Sequence, residues 1–150
     1  MKIADLCSPD VRVVSPVQPL VDAAKLMCEQ HIGALVVVNS NDPQRRPIGI
    51  LTDRDVVRGQ FRHSADLYCL TVGDVMTCNP VVLRGDLQLS QALAVLSAHA
   101  VRRAPVVDGT GRLWGIVSLD DLMPALAAEI TAIAHLMGDQ SGRERISRGG

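Results

Sequence analysis

Aromatic side chains are almost missing from this 150-residue chain, which holds one Trp, one Tyr and one Phe. A core must then be built from aliphatic residues, and the stacking platforms used by single-strand nucleic-acid binders are lacking. Charge of one sign is lacking too. The formal net charge of −1 provides no broad field for a phosphate backbone, so neither DNA nor RNA is expected as a partner. The four cysteines (Cys7, Cys28, Cys69, Cys78) form no CxxC pair, and the four histidines are equally scattered, so no metal site is expected. No apolar run approaches the ~18 residues of a membrane span, and residues 1–11 lack the apolar stretch of a signal peptide. A cytoplasmic protein with reduced thiols and no membrane association is the expectation.

The chain is 47% hydrophobic and 21% charged, the balance of a folded globular protein. Its main feature is internal repetition. Gly49-Ile50-Leu51-Thr52-Asp53-Arg54-Asp55 returns as Gly115-Ile116-Val117-Ser118-Leu119-Asp120-Asp121. Each copy reads as a strand that ends at a hydroxyl and runs into a helix start. Ile3–Cys7 likewise aligns with Val72–Met76, an offset of 69 positions, and that offset carries Leu20, Ala23, Ala24 and Met27 onto Leu89, Ala92, Leu93 and Leu96. Both sets follow the i, i+3, i+4, i+7 stripe of an amphipathic helix.

After each helix comes a short β-branched run ending in Asn or Asp, Ala34–Asn39 and Ala104–Asp108. Strands at Ile48–Leu51 and Leu113–Val117 follow, then helices opening at Asp53 and Leu119. Short initial strands are expected near Val11–Val14 and Val81–Leu83. The unit is thus β-α-β-β-α, used twice, in a mixed α/β (α+β) fold with pseudo-twofold symmetry. Boundaries fall at residues 1–60 for the first repeat, 61–71 for a linker, 72–137 for the second repeat and 138–150 for a flexible tail. About 60 residues bury too little surface to be comfortable alone, so the two halves are expected to pack together. Pro124 should kink or restart the last helix. The stripe Leu126, Ile130, Ile133, Met137 beyond it would either complete the monomer core or meet a second copy.

These features resemble a tandem pair of cystathionine-β-synthase (CBS) domains, a Bateman module, in its stand-alone bacterial form. The resemblance rests on GILTDRD and GIVSLDD, on the Ile3–Cys7 and Val72–Met76 lead-ins, and on HIGALVVV against AVRRAPVVD. It implies a non-catalytic regulatory module that takes adenosine-containing ligands (AMP, ADP, ATP, S-adenosylmethionine or NAD type) between the repeats. It also implies a homodimer that acts on an enzyme or transporter in trans, with no required cofactor.

In that family the motif carboxylate takes the ribose hydroxyls and the motif hydroxyl meets phosphate. The resemblance carries these roles to Asp55 and Asp121, and to Thr52 and Ser118. Arg103, entering the second strand, is placed against phosphate in the pocket of Ser118 and Asp121, and Arg54 is the phosphate contact of the second-ranked pocket, around Thr52 and Asp55. Adenine would lie on Ile32-Gly33, Val101-Arg102, Ile50 and Ile116. The pocket of Asp121, Ser118 and Arg103 ranks first, because the matching position in the other repeat is Ala34.

The chemistry of the residues fits: one carboxylate can accept both hydroxyls of a ribose diol, and a helix start is an anion site. Two plainer readings stand beside it. Thr52-x-x-Asp55 and Ser118-x-x-Asp121 can be capping boxes, and Arg102-Arg103 a solvated pair. The alternative function is a ligand-free dimerisation or interaction scaffold.

Overall fold

The structure, a computed structural model, describes residues 1–148, with side chains through residue 140. Two small sheets with helices against them make an α+β fold. The first half comprises α1 (Ile3–Leu6), β1 (Val13–Val14), α2 (Leu20–Gln30), β2 (Ala34–Val38), β3 (Pro47–Thr52) and α3 (Asp53–His63). The second comprises α4 (Val72–Val75), β4 (Thr77–Cys78), β5 (Leu83–Arg84), α5 (Leu89–Ala98), β6 (Arg103–Val107), β7 (Leu113–Ser118) and α6 (Leu119–Arg148).

The repetition extends to hydrogen-bond register. β1 runs parallel to β2, with Val13 opposite Val36, and β5 runs parallel to β6, with Leu83 opposite Val106. The β2–β3 and β6–β7 hairpins are antiparallel, and each shifts register at the matching place, Val37/Val38 and Val106/Val107. Leu20, Ala23 and Met27 of α2 are buried, as are Leu89, Ala92 and Leu96 of α5, as the helical stripes require. α2 and α5 are each followed by a turn with a left-handed non-glycine residue, His31 at φ 53° and Ala100 at φ 52°.

The lead-ins are exchanged between the repeats. Ile3 and Cys7 pack with Leu83, Leu89, Leu96, Val106 and Val117 of the second repeat. Leu70 and Val72 pack with Leu20, Leu35, Val37 and Leu51 of the first. The backbone follows the same plan: Ile3 N donates to Leu87 O (2.9 Å), and Val72 N donates to Gln18 O (2.9 Å). β4 extends the first sheet to the order β1-β2-β3-β4, while Ser8 bridges Ile116 at the edge of the second. A third cluster, Val36, Val38 and Leu113, joins the halves. Each core therefore needs a segment from the other repeat.

Four expectations change in detail. The lead-ins form one-turn helices, α1 and α4, ahead of the short strands. The linker begins after His63, because α3 continues that far. The flexible tail expected over 138–150 is instead helical as far as Arg148, and residues 149–150 lie outside the described residues. α6 also passes through Pro124 as one helix with no restart. Proline leaves the Asp120 carbonyl without its helical donor, and Asp120 is exposed, so water can replace it.

Candidate functional site

Both repeated motifs fold as strand, hydroxyl cap and helix. Thr52 caps α3 from extended backbone, φ −108°, ψ 163°. Its Oγ1 accepts from Asp55 N (3.1 Å), while Asp55 Oδ2 accepts from Thr52 N (2.9 Å). In the second copy Asp121 Oδ2 accepts from Ser118 N (2.8 Å) and from Ser118 Oγ (3.0 Å), and Ser118 Oγ accepts from Asp121 N (3.3 Å). The capping-box reading therefore holds for both. It does not exhaust the carboxylates. Each uses Oδ2 for its cap, and Oδ1 has no hydrogen-bond partner among the described residues.

Gly49 and Gly115 precede the cap hydroxyls by three positions, and both are close-approach glycines. A Cβ on Gly49 would stand 2.7 Å from Met76 Sδ, and one on Gly115 would collide with the Ser8 carbonyl oxygen. The lead-in of the opposite repeat thus lies directly on the strand that carries each motif.

A cavity of about 380 Å³ opens at the first motif. Ile50, Thr52, Arg54 and Asp55 of the first repeat line it, and Val101, Arg102 and Arg103 enter from the second. Seven of the twelve residues singled out in the sequence thus meet in one cleft. Ile32, Gly33, Ile116, Ser118 and Asp121 are not among its walls.

Arg103 is the main departure from expectation. Its backbone lies opposite Ser118 in the β6–β7 ladder, as grouping it with Asp121 would suggest. Its side chain, however, crosses to the other repeat: a Cβ on Gly33 would stand 3.2 Å from Arg103 Nη1 and 3.9 Å from Asp53 Oδ2. The guanidinium thus belongs to the cleft of Thr52 and Asp55. The reason for ranking the Asp121 pocket first is removed.

Asp53, Thr77 and Ala100 also line the cleft and were not singled out in the sequence. Thr77 arrives through β4, whose pairing with Ile50 on β3 no repeat pattern announces. Ala100 enters because the turn after α5 is left-handed, and no glycine marks that turn. Asp53 was within the motif itself, but its carboxylate was unassigned; Oδ1 accepts from Arg54 N (2.9 Å). The cleft sets three guanidinium groups against two carboxylates, with Ile50, Ala100 and Val101 as its apolar part. Such a lining suits a molecule with a flat apolar end, a diol and an anion.

Comparison with known proteins gives a consistent result. A family model described as "CBS domain" matches twice, over residues 3–61 and 72–128. An uncharacterised 17.7 kDa protein of Acidianus ambivalens is 34% identical over 125 residues, which cover 83% of this chain and 73% of that protein. Inosine-5'-monophosphate dehydrogenase of Methanocaldococcus jannaschii is 33% identical over 122 residues, 81% of this chain but 23% of the enzyme. Among solved structures, CBSX2 of Arabidopsis thaliana in complex with AMP superposes with a TM-score of 0.72 at 31% identity, covering 87% of this chain and 98% of that one.

Proposed function

The chain belongs to the CBS domain family as a pair of repeats, a regulatory module, and we propose that it binds an adenosine-containing ligand in the cleft between them without catalysing a reaction. The observation that carries this reading is the shared cavity: Thr52 and Asp55 of one repeat face Val101, Arg102 and Arg103 of the other across about 380 Å³. Adenine would lie on Ile50 and Val101. The ribose diol would donate to Asp55 Oδ1, the oxygen left over by the cap. Phosphate would sit at the start of α3 near Thr52, where the helix dipole and the guanidinium groups of Arg54 and Arg103 converge. The AMP bound by the structural neighbour CBSX2 supports this ligand class.

A ligand gripping both repeats favours one of their relative arrangements, and a partner enzyme or transporter could read that through differential affinity. The module would act as a homodimer. Its support is apolar surface: Phe61 on α3 is 89% exposed, and Ile130, Ile133 and Met137 on α6 are each more than half exposed. Cytoplasmic location is part of the proposal; among the described residues the four cysteines are unpaired and no helix is long and apolar enough to cross a membrane.

The competing reading is a ligand-free scaffold, favoured by the fact that both motif carboxylates already serve as caps. Thermal melting with saturating AMP, ATP, S-adenosylmethionine or NAD separates the two. At a hundredfold excess over the dissociation constant, linkage supplies about 2.7 kcal/mol, which raises Tm by several degrees. No rise with any of the four supports the scaffold.

A further inference from the structure

A second cavity, about 280 Å³, lies on the other side of Asp55. It shares Asp55 and Thr77 with the cleft, so the two cavities meet at those side chains. Arg58, Arg62 and His63 of α3 form one wall, and Asp74, Val75 and Met76 form the other. Arg54, Arg58 and Arg62 recur every fourth residue and so form one ridge along α3, spanning about 12 Å of helix axis. The first of them lines the cleft and the other two line the second cavity.

The charges facing this cavity are unevenly engaged. Asp55 Oδ2 is held by Thr52 N, and Asp74 Oδ2 by Thr71 N (2.8 Å). His63 Nε2 donates to the Asp74 carbonyl (3.2 Å). Arg58 and Arg62, by contrast, have no hydrogen-bond or ion-pair partner among the described residues. Two unengaged planar donors, one turn apart and leading away from a nucleotide cleft, match a chain of phosphates.

We propose that this second cavity takes the terminal phosphates of a nucleoside triphosphate whose base and ribose occupy the cleft. The inference rests on the nucleotide reading above and makes it more specific. The ridge leads from the helix start, where the first phosphate would sit, through Arg54 to Arg58 and Arg62. The module would then discriminate triphosphate from monophosphate, which share adenine and ribose and differ only in what lies beyond the first phosphate.

The test is calorimetric titration of AMP and of ATP into the wild type and into the double variant Arg58→Ala/Arg62→Ala. Both arginines are exposed, so the variant should keep the wild-type melting temperature. The wild type should bind ATP about tenfold tighter than AMP or better, the effect of one or two charge-assisted contacts. The double variant should lose that preference and bind AMP within about twofold of wild type. Equal wild-type affinities, or an ATP preference that survives both substitutions, would overturn the inference while leaving AMP binding in the cleft intact. Failure of the wild type to bind either nucleotide would overturn the nucleotide reading itself, and the inference with it.

Discussion

At the residue scale, the side chains proposed for recognition are also helix caps. A carboxylate that closes a capping box with one oxygen is fixed in orientation, so its other oxygen is presented in a constant direction. Asp74 shows the electrostatic side of capping without a role in the cleft. Its hydrogen bond from the Thr71 backbone amide, joined by one from the Thr71 side chain, holds its carboxyl below the usual carboxylate value. Asp42 and Asp108, which fasten the two hairpin loops, are lowered likewise, Asp42 by the amides of Arg46 and Gln44 and Asp108 by the Thr110 hydroxyl and amide. A folded value below the unfolded one means that the unfolded chain binds more protons on acidification. The stabilisation is therefore present above about pH 4 and is lost as pH falls through the folded values. Chemical denaturation between pH 6 and pH 3 should show stability declining toward the acid end, and Asp74→Asn should flatten that decline. An unchanged slope in the variant would remove Asp74 from this account.

At the element scale, strand and helix positions were legible because they rest on local pattern. The β-branched runs became β2 and β6, and the motif strands became β3 and β7, within a residue or two of expectation. What the pattern could not show is which core a segment joins. Ile3 and Val72 have the same local pattern, and nothing in either lead-in says that it packs into the opposite repeat. The path of the Arg103 side chain was hidden for the same reason: its strand was readable, its reach across to Gly33 was not. The tail's glycines and polar residues carry no helical signal, yet they do not prevent α6 from continuing to Arg148.

The exchange has a testable consequence at the two motif glycines. Gly115 faces the Ser8 carbonyl oxygen, which is backbone, whereas the nearest atom to Gly49 is Sδ of the flexible Met76 side chain. Gly115→Ala should therefore destabilise by about 1–3 kcal/mol, as overpacking does, and Gly49→Ala by less. Urea denaturation of both variants checks the order, and a larger loss at Gly49 would contradict the packing described.

At the scale of the whole molecule, the exchanged lead-ins and the shared cleft are two consequences of one duplication. Each repeat completes the core of the other, and Asp55 and Arg103, more than forty positions apart, enter one cavity from opposite repeats. If that cavity is the binding site, the ligand bridges the two halves, and this is the property a regulatory module requires.

The most direct measurement is calorimetric titration of AMP into the wild type and into three single variants. Asp55→Ala and Arg103→Ala should each weaken binding by about tenfold to a hundredfold, the range expected for a hydrogen bond to a charged group. Asp121→Ala, outside the cleft, should leave it within about threefold of wild type. Binding that survives loss of both Asp55 and Arg103 but disappears with Asp121 would contradict the account.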